Sequence, residues 1–411
     1  MVPHAEARSI SRSRQLYERA CKIIPSGTQT VSKQPQRYDP ERFPAFMERA
    51  KACRTTDLDG NEYIDYVMAL GPIVLGYGWP AVDEAVRRQL AKGVLFSSSS
   101  PLEVELAERL IRMLPNAERV RFFKSGAEAT AAAVRLARAF TGRSKVVSVG
   151  YQGWHDWWCA KNRERGVPEA MYPLTLNLPY GDLAQAQALF ESQGIEIAAL
   201  ILEPVVLDLD AEFVRAAAAL ARQAGALVIF DEIITGFRTA PGGMQEYLGV
   251  AADLATYGKA IANGFPLAAV AGRGDIFESA HDVWISTTFG GEALSLAAAV
   301  ATLDELCKPA TTQLLWSLGE HLATGWRALL EARPYVAADV RGFGPLPVLQ
   351  FRAWAKPQED AFVSRMLEAG FLTRRAHYWF VTASHTAADI DATLAACAEA
   401  FEQLDAAAGE Q

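Results

Sequence analysis

Short apolar runs alternate with amphipathic helical segments through the middle of the chain, and this alternation constrains the fold more than any other feature. The runs VRFF, KVVSV, IAALIL and ALVIF are short and continuous, and stretches such as GAEATAAAVRLARAF separate them. Strands that are buried on both faces have such runs, and parallel strands need helical crossovers between them. The sequence therefore predicts an α/β fold with a mostly parallel central sheet.

The two ends of the chain have a different pattern. The first 60 residues combine a helical pattern, a polar proline-bearing stretch and two short strands around an Asp-Gly-Asn turn. From Arg341 onward, strand-like pieces lead to a closing helix, DIDATLAACAEAFEQL. We therefore predict an N-terminal segment at 1–60, a large domain at 61–305 and a small C-terminal α+β domain at 306–411.

Composition and charge disfavour several classes of partner. The 411 residues are 50% hydrophobic and have a net charge of −8, without clusters of lysine and arginine, so we expect neither nucleic acid nor membrane as a partner. No apolar run approaches the ~18 residues of a membrane span, and the N-terminus lacks a signal-peptide core. The five cysteines are scattered without metal-ligand spacing, which predicts reduced thiols, no metal site and a cytoplasmic location.

An acid and a lysine are the first candidates for chemistry. Asp231 directly follows the run ALVIF, and ligands of parallel α/β proteins bind beyond the carboxyl ends of the strands. Lys259 stands alone among small and apolar residues in LATYGKAIANGFP, where desolvation would lower its pKa and make its amine nucleophilic. Taken singly, Asp231 is more simply a capping acid and Lys259 a surface residue. Their shared context favours a site.

Helix starts and an aromatic residue add to this hypothesis. In FFKSGAEA a Ser-Gly turn precedes a helix whose first N–H groups could seat a phosphate, although Ser125 and Glu128 also match a capping box. The stretch STTFGGE at 286–292 opens a later helix, where anion binding and capping are equally open. Tyr151 follows another strand between two glycines and is suited to stacking on a flat ring, whereas the nearby tryptophans are expected to pack or line a pocket.

Together these segments resemble the class III aminotransferases, which are fold type I enzymes that use pyridoxal 5′-phosphate (PLP), and within them the glutamate-1-semialdehyde aminomutase branch. The resemblance covers almost the whole chain. It includes FFKSGAEATAAAVRLARAFTGR, VSVGYQGWHDW, ALVIFDEIITGFR, YGKAIANGFPLAAVAGR and TTFGGEALSLAAA. It implies a large PLP-binding domain, a small C-terminal α+β domain, a homodimer, and an amino donor and a carbonyl acceptor as substrates.

The resemblance also implies roles for individual residues. Lys259 would form the internal aldimine with PLP and then move a proton as general acid and base, and Asp231 would keep the pyridine nitrogen protonated. The implied cofactor contacts are a phosphate seat at Ser125, Gly126 and Ala127, ring contacts from Tyr151 and Ile233, a positioning role for Glu203, and Thr288 reaching the phosphate of the neighbouring subunit.

Several positions depart from the family pattern. The usual Asn-Ser-Gly-Thr is Lys-Ser-Gly-Ala at 124–127, which loses a hydroxyl and gains a charge, and the usual Tyr-His-Gly is Tyr-Gln-Gly at 151–153. The early arginine of the aminomutase corresponds to Lys33, its pocket tryptophan to Leu70, and its late glutamate falls near His377. Lysine lacks the bidentate grip of arginine on a carboxylate. The candidate substrate-binding residues are Lys33, Leu70, Trp154, His155, Arg375 and His377.

These departures favour a transaminase over the aminomutase. The predicted reaction passes through a pyridoxamine intermediate and serves secondary or surface-sugar metabolism, with an aminomutase or racemase as the alternative. A non-catalytic binding protein is disfavoured because both Lys259 and Asp231 are present. A nucleotide-binding enzyme is disfavoured because the chain has neither a G-x-G-x-x-G after a strand nor a P-loop.

Overall fold

The computed structural model describes residues 8–279 and 281–408, and it divides the chain into two compact units, 1–79 with 313–411 and 80–312. The helices are α1 Ser11–Ala20, α2 Pro80–Leu90, α3 Pro101–Met113, α4 Gly126–Thr141, α5 Asp156–Cys159, α6 Leu183–Gln193, α7 Ala211–Gln223, α8 Gly243–Leu248, α9 Gly274–Ser279, α10 Ala293–Leu306, α11 Pro309–Glu331, α12 Lys356–Ala369 and α13 Ala387–Ala408. The strands are β1 Met47–Lys51, β2 Arg54–Asp57, β3 Glu62–Asp65, β4 Arg119–Phe123, β5 Lys145–Val149, β6 Thr175–Asn177, β7 Ile197–Leu202, β8 Leu227–Asp231, β9 Leu254–Tyr257, β10 Ala268–Gly272, β11 Ala338–Phe343, β12 Leu346–Phe351 and β13 Phe371–Leu372.

The unit at 80–312 is built around one sheet with the strand order β4-β10-β9-β8-β7-β5-β6. Strands β5 to β9 pair in parallel, and β10 is antiparallel to both of its neighbours, β4 and β9. The predicted α/β fold with a mostly parallel central sheet is therefore confirmed. Strands β4, β5, β7, β8 and β9 all point the same way, so their carboxyl ends lie at one edge of the sheet.

Alanine allows helix α4 to pack closely on this sheet. Ala129, Ala133 and Ala137 recur at every fourth position, which places them on one face of the helix, and all three are fully buried. They share a core with strand residues such as Ile201 and Ile229. The short side chains bring the start of α4 against the carboxyl edge of the sheet.

The other unit combines both ends of the chain. Strand β13 pairs in parallel with β3, which extends the antiparallel strands β1 to β3, and β11 pairs with β12. Its core contains Tyr66, Trp326, Trp379 and Phe401. The β3–β13 pairing joins segments that are far apart in sequence, so the two ends of the chain belong to one unit. The three-part division stays a prediction.

This unit contains a buried histidine, His385. The His385 ring stacks on Tyr66 with 4.9 Å between ring centroids, and its Nδ1 accepts a hydrogen bond from the Thr382 N–H group at 3.1 Å. Among the described residues its Nε2 has no hydrogen-bond partner. Burial lowers the pKa of His385 to about 4. In the folded protein, His385 therefore stays neutral at pH values between 4 and 6.5, where the unfolded chain binds a proton.

We expect the free energy of unfolding to fall as the pH drops from ~6.5 to 4, because only the unfolded state binds this proton in that window. His385→Gln removes the titration, so the stability gap between variant and wild type should narrow over the same window. Urea midpoints measured at several pH values between 4 and 7 test this expectation. Parallel curves for the two proteins would contradict it.

Candidate active site

The carboxyl edge of the sheet brings together several residues that the sequence singled out. Asp231 is the last residue of β8, Glu203 follows β7, Tyr151 follows β5 and Lys259 follows β9. Because these strands run in parallel, the four side chains lie at the same edge, where ligands of α/β sheets bind. Burial raises the pKa values of both Asp231 and Glu203, and the charge of Lys259 opposes part of each rise, so the three groups form one electrostatic cluster.

Asp231 is fixed in the interior of this edge. Its side chain is buried, and Oδ1 accepts hydrogen bonds from the Ile233 N–H group and the Thr256 hydroxyl, both at 3.1 Å. Burial nevertheless raises the pKa of Asp231 to about 7. A buried carboxylate whose charge is costly is suited to a cationic partner that arrives with a ligand.

Glu203 joins Asp231 to the Tyr151 turn. Its Oε2 accepts a hydrogen bond from the Tyr151 N–H group at 2.7 Å. Burial first, and the charge of Asp231 second, raise the pKa of Glu203 to about 8. Two acids that both resist ionisation lie beside one lysine, which is the pattern expected where a protein holds a proton for chemistry.

Lys259 has an unusual backbone conformation. It begins the 3₁₀ turn Lys259–Ala262 with φ at 43°, in the left-handed region that residues with a Cβ seldom adopt. Such strain persists only where the surrounding structure enforces it, and it is concentrated at functional sites. Here the turn directly after β9 places the half-buried lysine at the edge that also holds Asp231.

Ile233 packs between the turn before α4 and the backbone that leads to Lys259. A Cβ on Gly126 would lie 2.6 Å from Ile233 Cδ1, and one on Gly258 would lie 3.6 Å from Ile233 Cγ2. Glycine at 126 therefore leaves space that any larger side chain would take from Ile233. The predicted ring contact and part of the predicted phosphate seat are thus neighbours.

The start of α4 has the capping box that the sequence predicted. Ser125 Oγ accepts from the Glu128 N–H group at 3.3 Å, and Glu128 Oε2 accepts from the Ser125 N–H group at 2.8 Å. The first N–H groups of a helix have no carbonyl partner within the helix, so those of Gly126 and Ala127 are suited to an anion. A Cβ on Gly153 would lie 2.7 Å from Ala127 Cβ, which shows how closely the Tyr151 turn approaches this helix start.

The positive charge gained at Lys124 is offset within the chain. Lys124 Nζ lies 2.9 Å from Glu292 Oε2 in a largely buried ion pair. Glu292 also caps α10, because its carboxylate accepts from the N–H groups of Leu294 and Ser295 at 2.7 and 3.1 Å. The pair ties the turn before α4 to the segment 286–292 that contains Thr288.

Other predicted residues of this unit lie on its surface. Thr288 and Trp154 are exposed, the latter with 73% of its surface accessible. The Trp154 and His155 rings meet edge to face with 5.1 Å between centroids. Their predicted roles, together with that of Thr288 in a neighbouring subunit, stay predictions.

The remaining candidates belong to the other compact unit. Lys33 is exposed, and Leu70 lies half-buried with φ at 73° in a left-handed run that begins at Met68. Arg375 donates to the Gln36 carbonyl at 3.3 Å and lies 2.8 Å from Asp360, so its charge is already paired. His377 is half-buried and its ring lies near that of Phe380. Substrate binding by these four residues stays a prediction.

Sequence reasoning missed two residues of the site. Thr256, which bonds to Asp231, was hidden inside the apolar stretch of β9. Lys161 lies near Glu203, but the polar residues Asn162, Arg163 and Glu164 follow it in sequence, so the pattern that singled out Lys259 does not apply to it. Its place in the site is visible only in the structure.

Comparison with known proteins decides the family. The family described as aminotransferase class III matches residues 36–404. The chain belongs to the class III aminotransferases. The resemblance seen in the sequence is therefore confirmed, and so is the prediction of a PLP-dependent enzyme, because members of this family use PLP.

Two curated relatives differ in activity. Glutamate-1-semialdehyde 2,1-aminomutase of Sorangium cellulosum (strain So ce56) is 37% identical over 97% of this chain and 98% of its own. 3-Aminobutyryl-CoA aminotransferase of Cloacimonas acidaminovorans (strain Evry) is 30% identical over 97% of this chain and 99% of its own. This class III chain is thus similar to both a mutase and a transaminase.

Solved structures support the fold type I assignment. The PLP internal aldimine form of the FumI protein of Sphingopyxis sp. MTA144 has a TM-score of 0.90 at 29% identity and covers 96% of both chains. An omega-transaminase from Sphaerobacter thermophilus has a TM-score of 0.88 at 26% identity, with 98% of both chains covered. Across residues 8–279 and 281–408, no helix has the length and apolar character needed to cross a bilayer.

The donor set of the site fits the cofactor of this family. Asp231 offers a fixed carboxylate whose ionisation needs a cationic partner, and Lys259 offers an amine beside it. Gly126 leaves room next to Ile233, at a helix start suited to phosphate. An acid, an amine and an anion seat at one sheet edge match the three polar ends of PLP.

Proposed function

We propose that this protein is a transaminase that moves an amino group from an amino donor to a ketone or aldehyde acceptor. The observation that carries the proposal is the cluster of Lys259, Asp231 and Glu203 at the carboxyl edge of the sheet. A non-catalytic relative would have no need for a strained lysine beside two buried acids whose ionised forms are unfavourable.

Several residues at this edge of the sheet would bind PLP, each at a different part of the cofactor. Gly126 and Ala127 would bind the phosphate through their N–H groups and the dipole of α4, with Ser125 completing that turn. Tyr151 and Ile233 would contact the two faces of the ring. Bound PLP supplies an electron sink for the charge left when a substrate carbon loses its proton.

The charged residues would control the protons. Asp231 would face the ring nitrogen and keep it protonated, and the positive charge there would in turn favour the ionised form of Asp231. Lys259 would take the proton from the substrate carbon and return it elsewhere, because its amine lies in the same electrostatic cluster. Glu203 would hold the Tyr151 turn through the Tyr151 N–H group.

A homodimer would complete the site, with Thr288 reaching the phosphate of the neighbouring subunit. The exposure of Thr288 in the single chain is compatible with this arrangement. Candidate substrate contacts are those named from the sequence, and a role in secondary or surface-sugar metabolism and a cytoplasmic location belong to the same proposal.

An aminomutase is the second candidate. The Sorangium relative carries that name at 37% identity, which favours isomerisation within one substrate. Against it stand Lys33 and Leu70 at the positions where the aminomutase pattern has arginine and tryptophan. Loss of a bidentate grip would weaken binding of the substrate carboxylate that the mutase must retain through both halves of its reaction.

Absorption spectroscopy of the PLP-loaded protein separates the two candidates. Amino donors are added one at a time without an acceptor, and products are measured by mass spectrometry. For a transaminase we expect the visible cofactor band to bleach while one equivalent of a carbonyl product forms, and an acceptor should restore the band. Isomerisation of glutamate 1-semialdehyde over many turnovers, without any acceptor, would instead establish the aminomutase.

A further inference from the structure

Lys161 is a second amine near the cluster, and its hydrogen bonds lead to the Tyr151 turn. It lies in the 3₁₀ turn Ala160–Asn162, and Nζ donates to the Gly150 carbonyl at 2.9 Å and to Ser148 Oγ at 3.0 Å. Both acceptors are uncharged. Burial lowers the pKa of Lys161 to about 8, and the negative charge of Glu203 opposes this fall.

Trp158 also fixes the position of the Gly150 carbonyl. Its Nε1–H group donates to the Gly150 oxygen at 3.3 Å, and Lys161 Nζ lies 4.6 Å from the centre of its ring. The Trp158 ring also meets the Tyr151 ring edge to face, with 4.9 Å between centroids. Lys161 and Trp158 therefore act on both the backbone and the ring of the Tyr151 turn.

The peptide group between Gly150 and Tyr151 is held at both of its polar atoms. Its carbonyl accepts from Lys161 and Trp158, and its N–H group donates to Glu203 Oε2 at 2.7 Å. Gly150 has φ at 89°, and a Cβ there would collide with the Glu203 carboxylate. The turn thus needs glycine, and a flexible glycine needs external bonds to keep one orientation.

A chain of donors extends from Lys161 into the interior. Because Ser148 Oγ accepts from Lys161, its hydrogen is directed to Gln152 Oε1 at 2.6 Å. Gln152 Nε2 then donates to the Val149 carbonyl at 2.6 Å. Gln152, which replaces the histidine of the family pattern, thus has hydrogen bonds at both its oxygen and its nitrogen. Lys161 fixes the direction of the Ser148–Gln152 bond by occupying the Ser148 oxygen as a donor.

We propose that Lys161 is a positioning residue that fixes the Gly150–Tyr151 peptide and thereby the orientation of the Tyr151 ring toward the cofactor. The inference rests on the proposed role of Tyr151 at the PLP ring. Lys161 acts through Tyr151 and Glu203 and need not touch substrate. Its loss should alter how PLP is held without removing either Lys259 or Asp231.

The test compares Lys161→Met with Lys145→Met in the full-length protein. Lys145 lies at the opposite end of β5, where it bonds to Gln193 at 2.9 Å and pairs with Glu196 at 2.9 Å. For Lys161→Met we expect PLP affinity to fall about tenfold and the visible circular dichroism of bound PLP to change. Amide exchange of segment 148–160 should become faster in the protein without PLP. Lys145→Met should match wild type in all three measurements.

The outcomes distinguish the inference from the proposed function. If wild type binds PLP and Lys161→Met shows wild-type affinity, dichroism and amide exchange, the positioning role is wrong while the transaminase proposal stands. If wild type does not bind PLP, both fail. Should Lys161→Met not fold, Lys161→Ser keeps a polar group but is too short to reach the Gly150 carbonyl, and wild-type behaviour of that variant would again overturn the inference.

Discussion

Replacement of Lys259 by alanine is expected to lower the rate of amino transfer by at least ~10⁴-fold while the protein remains folded and still binds PLP. The loss should be this large because one amine supplies both the covalent attachment and the proton transfer. Alanine also has a Cβ, so the left-handed backbone at φ 43° is equally strained before and after the change. Backbone strain should therefore contribute little to any difference in stability between variant and wild type.

Single-turnover absorbance with a saturating amino donor measures this effect. A small added amine such as methylamine should restore part of the proton-transfer rate in Lys259→Ala, which would identify the missing group as a base. Lys145→Ala is the matched control, since Lys145 is a half-buried lysine of the same unit at the far end of β5. A Lys259→Ala protein with more than a tenth of wild-type activity would refute the assignment of Lys259.

Most of the central fold was predictable because its signals are local. The run ALVIF gave β8 nearly at its observed bounds, Leu227–Asp231, and SGAEAT gave the capped start of α4. Continuous apolar runs separated by helices also predicted parallel strands, which β5 to β9 confirm. Each of these features depends on residues that are close together in sequence.

Local patterns of this kind could not predict which distant strands pair with each other. Strand β13 consists of Phe371–Leu372 alone, too short for a period, and its pairing with β3 groups the two ends of the chain in one unit. The antiparallel strand β10 was also missed, because its sequence AAVAG is as apolar as that of a parallel strand. Direction and partner depend on the whole topology, which no short window contains.

The residues of the candidate site also fall into those with a local sequence signal and those that depend on long-range contacts. Asp231 and Lys259 were found because each stands out against its own neighbours in sequence. Thr256 and Lys161 were missed because their importance comes from a bond to Asp231 and to the Gly150 carbonyl, and both contacts cross between segments. Lys124 was read as an added charge, and only the structure shows Glu292 beside it.

Asp231→Asn is expected to affect activity and stability in opposite directions. Amino transfer should fall by at least ~10³-fold, because a neutral amide cannot stabilise a protonated ring nitrogen. The protein without PLP should become more stable at pH 8, by about 4 kcal/mol, since burial raises the pKa of Asp231 to about 7 and makes its charge costly. Asparagine keeps an oxygen for the Ile233 N–H group and the Thr256 hydroxyl.

The difference in stability between Asp231→Asn and wild type should depend on pH. The folded wild type binds a proton at Asp231 between pH ~3.8 and 7 that the unfolded chain has released, so its free energy of unfolding falls as the pH rises through that window. Asp231→Asn has no such pH-dependent loss of stability. The free energy of unfolding of the variant should therefore exceed that of wild type by a margin that grows between pH 4 and 7 and stays constant above pH 7. Melting temperatures of the PLP-free proteins at pH 4 to 8 measure it.

Asp253→Asn supplies the contrast that makes the Asp231 result specific. Asp253 is a buried acid of the same unit, but it lies 2.7 Å from Arg273 and accepts from the Val228 N–H group at 2.8 Å. Removing its charge leaves Arg273 without this partner, so the melting temperature should fall. Saturating PLP should stabilise wild type more than Asp231→Asn, because tighter binding to the folded state raises stability further. If Asp231→Asn destabilised the PLP-free protein as Asp253→Asn does, Asp231 would be a structural acid, and its assignment to the cofactor would be wrong.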